Sequence, residues 1–153
     1  MGPLNGPAVT HRLGRRQRQE LREEQRLADI RTMLEARMAA VRRHRGSNYI
    51  ARETVRSEAA ERKTAVVKIL REELQAMQEH PYHWQPYRID DAQLLKWATR
   101  LNTHDLELSD LTIAIDGICP GDIENWTKRS IEMDTELKAL IENIYLRLDE
   151  LNW

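Results

Sequence analysis

The sequence predicts an all-α fold, and three observations carry that prediction. The chain of 153 residues has no Phe, comparatively few β-branched residues, 6 Gly and 5 Pro, so the residues that build hairpins and sheets are scarce. Charged residues make up 32% and hydrophobic residues 41%, a balance that long two-sided helices accommodate. Apolar residues also recur at intervals of three and four along several stretches, which is the period of a helix packed on one side.

The first elements are a tail and a long helix. Residues 1–14 combine Gly and Pro with little apolar content, so we expect a disordered basic tail. Residues 15–45 contain no Pro or Gly, and an apolar stripe follows at intervals of 3, 4, 4 and 3. The members of this stripe are Leu27, Ile30, Leu34, Met38 and Val41.

Gly46 interrupts this helical pattern and predicts a turn. Gly tolerates the left-handed conformation of a helix end, and Ser47 or Asn48 can cap a following helix. We therefore expect a long helical hairpin over residues 15–79. The alternative is a single helix that continues, bent, through Gly46.

Two prolines and three aromatic residues mark residues 80–89 as an ordered joint. The remainder, 90–153, is predicted to be a C-terminal helical module. Asp90 would cap a short helix that ends near Asn102, and a second short helix would cover 108–118. Part of that second stretch also alternates like a strand, but no partner strand is evident, which favours a helix.

The final stretch carries the strongest pattern in the chain, an apolar seam over about four heptads that needs a facing helix. The N-terminal hairpin or another subunit would supply it, so we expect a homo-oligomer, with a monomeric bundle as the alternative. The predicted helix-packing interface comprises Leu27, Ile30, Leu34, Val41, Trp126, Met133, Leu137, Leu140, Ile144, Leu148 and Leu151.

The charges are distributed unevenly. Residues 1–45 hold eleven Arg against five acids, a net charge of +6, whereas residues 101–153 hold four basic and twelve acidic residues, a net charge of −8. A basic arm of this kind is typical of contact with nucleic acid or with an acidic protein surface, although a merely solvated face has the same composition. The predicted contact residues are Arg12, Arg15, Arg16, Arg18, Arg22, Arg42, Arg43 and Arg45.

Two tryptophans have no evident position within the chain. Trp84 lies in the joint and Trp153 at the last position, outside the helical stripes, so both are candidates for docking a protein partner. The alternative for Trp153 is that it caps the bundle.

Catalysis is not expected, and no cofactor is predicted. His80 and His83 are three residues apart, but Pro81 between them spoils a regular helix and no third metal ligand stands at a diagnostic spacing. Cys119 lacks a marked activating base, and no Gly-rich phosphate loop is present. No apolar run reaches the length of a membrane span and the start lacks a secretory signal, so we expect a cytoplasmic location, with use in a virion also open.

These observations favour a non-enzymatic, oligomeric helical adaptor or assembly protein with an Arg-rich N-terminal arm. The alternative is a small nucleic-acid-binding regulator that reads bases with two short helices over 90–118. It is disfavoured because the second of these helices is acidic and would be repelled by phosphate. A metal-dependent enzyme centred on His80 and His83 is the third possibility.

Overall fold

The computed structural model describes residues 7–56, 68, 69, 72 and 84–153, and the side chains of residues 7–13, 56 and 116 lie outside this description. The described ranges form three α-helices, which are α1 (Pro7–Arg56), α2 (Ala92–Ile113) and α3 (Ile123–Glu150). Short 3-10 turns cover Pro86–Arg88, Ala114–Gly117 and Pro120–Asp122. No strand occurs in these ranges, so the all-α prediction is confirmed for them. None of their helices has the length and hydropathy that crossing a bilayer requires.

Helix α1 is longer than the sequence predicts at both ends. It begins at Pro7, so the predicted disordered tail over 1–14 is wrong for residues 7–14, and residues 1–6 lie outside the described ranges. Proline is favourable in the first turn of a helix, because its fixed φ is helical and its missing N–H has no partner there in any case. The helix then passes through Gly46 without a turn, so a hairpin that folds back at Gly46 is also wrong.

The reason is that the buried stripe of α1 does not stop at Gly46. The residues Ile30, Leu34, Arg37, Val41, His44, Asn48, Ala51 and Val55 are all buried. They follow one another by four and three residues in strict alternation, so one face of a single helix packs against the bundle on both sides of the glycine. Burial of that face outweighs the helix-breaking preference of one exposed Gly. The rest of the predicted hairpin, 57–79, lies almost entirely outside the described residues.

Helix α2 replaces the two short helices predicted over 90–118. It is continuous from Ala92 to Ile113, and the Asp91 carboxylate, not Asp90, caps it by accepting a hydrogen bond from the Leu94 backbone N–H at 3.0 Å. Its buried positions, including Leu101, Asp105 and Leu108, again alternate at intervals of four and three. Because this stripe is unbroken at Asn102, the helix does not end there.

Helix α3 occupies the predicted final stretch, although Asp122 makes no capping side-chain hydrogen bond at its start. At its end, Asn152 adopts a φ of 55° and the Trp153 N–H donates to the Leu148 carbonyl at 3.1 Å. The Asn152 N–H donates to the Asp149 carbonyl at 3.2 Å, which completes a Schellman motif. The motif reverses the chain and places Trp153 against the core.

The three helices pack side by side. Arg37 of α1 bonds Asp105 of α2, and further along both helices Asn48 bonds Thr112. Because the residue numbers rise in the same direction on both helices, α1 and α2 are parallel. Helix α3 is antiparallel to both, as three contacts with α1 show: Arg31 with Trp153, Arg45 with Asp134, and Arg52 with Ser130. Within the described ranges α1 therefore packs against α2 and α3, and Ser47 lies inside α1 instead of starting a second helix.

The apolar core has two parts. The larger one surrounds Leu34, Leu101 and Leu137, and the smaller one contains Val55 and Trp126 at the other end of the bundle. The predicted seam of α3 lies in this core within a single chain, where most of its side chains are buried. The seam is thus already covered without a second subunit.

Buried polar groups interrupt the apolar core. Asp105, at 1% exposure, accepts hydrogen bonds at 2.7 Å from both Arg37 and His44, which are themselves buried. Arg37 also donates to the Asn102 side chain at 2.8 Å. Because a carboxylate only accepts, His44 donates from Nδ1. This cluster fixes α1 against α2 in one register, since a shift of either helix would leave a buried charge unpaired.

A second polar layer lies between this cluster and the smaller core. Asn48 donates to the Thr112 hydroxyl at 2.8 Å and accepts from the Ser130 hydroxyl, so one residue from each helix takes part. Arg52 donates to the Asn48 and Ser130 oxygens, both at 3.1 Å. The Asn48 side chain is therefore a bundle contact, not the helix cap that the sequence predicts.

Replacing Gly46 by Ala should stabilise the protein by about 0.5–1 kcal/mol, because Ala loses less backbone entropy in a helix. The site permits the change, since Gly46 is exposed and a Cβ there would meet no atom within 4 Å. Urea denaturation of both variants measures the difference. A loss of stability would show that the chain turns at this position.

Asp105→Ala should destabilise the protein by about 3–5 kcal/mol, because it leaves the Arg37 charge buried without its carboxylate. Asp110→Ala is the matched control, as Asp110 is an exposed acid on the same helix, and it should change stability by less than about 0.5 kcal/mol. Denaturant midpoints of the two variants provide the comparison. Equal midpoints would rule out a structural role of the cluster.

Candidate nucleic-acid interface

The N-terminal part of α1 extends beyond the bundle. Every residue from 15 to 25 is exposed, and Ile30 is the first buried apolar residue among the described side chains of the helix, which begin at residue 14. At 1.5 Å per residue, the part from residue 7 to residue 25 is about 28 Å long. We call residues 15–25 the arm. Their side chains lie at the surface and not in the core of this chain.

Three of the four arginines of the arm share one side of the helix. Arg15, Arg18, Gln19 and Arg22 together line a shallow groove of about 410 Å³. We call these four residues the Arg face. Their spacing of three, four and seven residues is the spacing of neighbours on a helix surface.

Two acidic residues of the arm, Glu20 and Glu24, lie on another side. Glu20 follows Arg18 by two residues, and Glu24 follows Arg22 by two residues. Two residues correspond to about 200° around the helix axis, so these carboxylates point away from the Arg face. The third acid of the arm, Glu23, is bound by Arg26 at 2.8 Å.

Arg26 joins the arm to the end of the bundle. Its guanidinium lies 2.8 Å from the carboxylates of Glu23 and Asp90, and it donates to the Arg88 carbonyl at 3.5 Å. The hydrogen bond from Arg26 holds the pKa of Glu23 below its usual value, and the same pair raises the pKa of Arg26. Because Arg22 is one helical turn before Arg26, the segment around Arg88 adjoins the Arg face.

The segment 84–91 is fixed to the bundle by its buried members. Ile89 is 2% exposed within the core, and its N–H donates to the Pro86 carbonyl at 3.0 Å. The Gln85 N–H contacts the Met33 sulfur at 3.3 Å. Between these anchors, Tyr87 and Arg88 are exposed. The backbone is held in place while these two side chains face solvent.

Asp91 and Arg147 attach the same segment to α3. The Arg147 guanidinium donates two hydrogen bonds to the Asp91 carboxylate, at 2.6 and 3.0 Å. These bonds, with the backbone N–H of Leu94, lower the pKa of Asp91 against the opposing effect of burial. The pKa of Arg147 is raised by its bonds to Asp91 and Glu150. The Asp91 carboxylate thus both pairs with Arg147 and caps α2.

The other predicted arginines are not part of the Arg face. Arg42 lies over the Tyr145 ring at 5.3 Å, Arg43 is exposed, and Arg45 pairs with Asp134 at 2.9 Å. Twenty residues of helix, about 30 Å, separate Arg42 from Arg22. Arg16 is exposed but does not line the groove, and the Arg12 side chain lies outside the described residues.

The two candidate docking tryptophans have positions within the chain. Trp84 and Trp153 are half-buried and pack against the larger core, and the Arg37 guanidinium lies 5.9 Å from the Trp84 ring centre. The view that they lack an intrachain position is therefore wrong. The local signal that sequence reasoning missed for Trp153 is Asn152, a residue type that favours the left-handed end of a helix.

Most residues of the predicted helix-packing interface are buried inside the chain, whereas Leu27 and Leu151 are half-buried. The buried members are Ile30, Leu34, Val41, Trp126, Met133, Leu137, Leu140, Ile144 and Leu148. Residues that the sequence analysis did not single out for a site are Tyr87 and Arg88. Their signal was weak, because exposure of an aromatic residue next to a buried Ile89 cannot be read from composition.

The groups considered for catalysis do not form a reactive arrangement in the described part of the chain. His80 and His83 lie outside it, and no three His, Cys, Asp or Glu residues within it could hold a metal. Cys119 is exposed. A cleft of about 540 Å³ between α2 and α3 contains His104, whose Nε2 lies 3.2 Å from the Glu136 carboxylate, but no Ser, Thr or Cys is among its lining residues.

Comparison of the chain with protein-family models, with curated proteins and with solved structures finds no match.

Replacing Asp91 separates its two roles. Asp91→Asn keeps an N-cap and removes the charge that bonds Arg147, whereas Asp91→Ala loses the cap as well and should cost about 1 kcal/mol more. Because the native pKa is lowered, the ionised carboxylate stabilises the fold above about pH 4 and loses this effect as the pH falls through the native pKa. Unfolding measured from pH 7 to pH 2 should show a smaller acid-induced loss for Asp91→Asn, and identical profiles would contradict the pairing.

Proposed function

We propose that this protein is a non-enzymatic helical adaptor that binds the phosphate backbone of nucleic acid with the Arg face of its arm. The observation that carries the proposal is the exposed Arg face on a helix that extends beyond the bundle. Guanidinium groups form paired hydrogen bonds with phosphate oxygens, and each neutralised phosphate releases counterions. Binding of this kind is sensitive to salt and weakly selective for sequence.

The fold supports an adaptor, since α1 serves two purposes along its length. Residues 30–55 of α1 pack against α2 and α3, while the arm contributes nothing to that core. A rigid helix that continues from a bundle holds its arginines at a constant distance from the bundle surface. In an adaptor of this kind, the bundle surface would bind the second partner.

The regulator alternative loses its structural support. It needs two short helices joined by a turn over 90–118, but α2 is continuous across most of this stretch. Asp105 of this stretch is buried in the bundle, and Asp110 is exposed with a charge that phosphate would repel. An acidic protein surface is a second candidate for the Arg face, because carboxylates accept the same forked hydrogen bonds.

The double variant Arg18→Gln/Arg22→Gln tests the proposal. It should weaken binding to a mixed-sequence DNA about uniformly across sequences and reduce the slope of log Kd against log salt by up to about 2, because two phosphate contacts are lost. Arg42→Gln/Arg43→Gln removes the same charge at a site away from the arm and is the matched control. Fluorescence anisotropy over a salt series measures both.

Equal weakening by the two double variants would show that net charge, and not the Arg face, determines binding. If the wild-type protein binds no DNA at low salt but binds an acidic polypeptide, the ligand of the Arg face would be an acidic protein and not nucleic acid. Either result contradicts the proposed contact.

We also propose that the protein forms a homo-oligomer. Because the apolar seams are buried within one chain, the subunits would contact each other through another surface. The outer face of α3 exposes Ile131 and Leu146, by 47% and 62%. We expect light scattering over a dilution series to give a mass above that of one chain, 18.0 kDa. Ile131→Lys/Leu146→Lys should reduce that mass, and a wild-type monomer at every concentration would contradict self-association.

A further inference from the structure

Tyr87 is the large hydrophobic residue with the highest exposure in the described part of the chain. Its exposure is 75%, against 63% for Leu21 and 62% for Leu146. A ring left in water gains nothing from burial on folding. The backbone beneath it is nevertheless fixed, because Pro86 restricts φ and Ile89 is anchored in the core. The ring is thus held outside the bundle at a defined place.

That place adjoins the Arg face. The Arg26 side chain contacts the Arg88 carbonyl at 3.5 Å, next to Tyr87 in sequence, and Arg22 precedes Arg26 by one helical turn of about 5.4 Å. Arg88 is exposed and adds a further positive charge. The carboxylates of Glu23 and Asp90, which lie in this corner, are both bound by Arg26.

We infer that the Arg face and Tyr87 together form a binding site for single-stranded nucleic acid, in which the Tyr87 ring stacks on an unpaired base. This inference rests on the proposed contact of the Arg face with phosphate. A row of arginines along the backbone beside an exposed aromatic ring is the combination by which proteins bind single strands without strong sequence preference. In a duplex the faces of the bases are covered by their neighbours, so a duplex meets only the arginines.

Three oligonucleotides separate the two parts of the site. They are an oligothymidylate of about 16 nucleotides, near the upper end of known site sizes, an abasic strand of equal length, and a duplex of equal length. The abasic strand keeps the phosphates and lacks the bases. Anisotropy at one fixed salt concentration compares wild type, Tyr87→Ala and Tyr87→Phe, and circular dichroism checks that the helices are retained.

Tyr87→Ala should lower the affinity for the oligothymidylate by about 5-fold to 100-fold, because one base–aromatic stack is lost. Its affinity for the abasic strand and for the duplex should stay unchanged. Tyr87→Phe should bind as wild type does, since it keeps the ring. An oligouridylate should respond to Tyr87→Ala as the oligothymidylate does, because every base has a face on which a ring can stack.

Each contrary result has its own meaning. Equal losses on the normal and abasic strands, or no loss on either while Arg18→Gln/Arg22→Gln weakens both, would overturn base stacking and leave the phosphate contact standing. A wild-type protein that binds none of the oligonucleotides would overturn the proposed function as well. The protein could instead bind poly-glutamate and none of the oligonucleotides. If Arg18→Gln/Arg22→Gln lowers that binding and Tyr87→Ala leaves it unaffected, the partner would be an acidic protein and not nucleic acid.

Discussion

The arrangement of this bundle depends on the interaction of the buried Asp105 carboxylate with its two partners. It accepts hydrogen bonds from Arg37 and His44, and all three groups are nearly without contact to water. A buried charge of this kind adds little net stability over an apolar core, but it tolerates only one pairing. The pairing therefore fixes the register of α1 against α2, because sliding α1 along α2 would separate the charges. The layer of Asn48, Thr112 and Ser130 places the same demand on α3.

The register of α1 determines where the arm begins. The contacts of Arg26 with Arg88 and Asp90 place the end of the bundle near Arg26, and residues 15–25 before it are exposed. The segment 84–91 closes this end and lies against α1 through Arg26 and against α3 through Arg147. The corner between arm and bundle is thus built from three separate parts of the chain. Its positive charge is local, although the chain as a whole has a net charge of −1.

Several features of the fold could be read from the sequence because they depend on local periodicity. The stripe of α3 is continuous, so the helix from Ile123 to Glu150 follows from its spacing alone. The stripe of α1 was also readable past Gly46, but only when Arg37, His44 and Asn48 are counted as buried positions. Polar residues at core positions are uncommon without a partner, and the partners Asp105 and Thr112 are more than 60 residues away in sequence. Local reasoning assigned Asn48 to a helix cap and gave no core position to Asp105 for this reason.

The sequence by itself determined the helical class, the positions of the apolar stripes and the uneven distribution of charge, because each is a property of neighbouring residues. The tertiary structure alone decided that α1 is one helix through Gly46, that the seams face each other within one chain, and that Arg15, Arg18 and Arg22 line one exposed groove. It also decided that Tyr87 is exposed while Trp84 and Trp153 are packed. The physical reason is that burial depends on what lies opposite a residue, and the opposing residues come from distant parts of the chain.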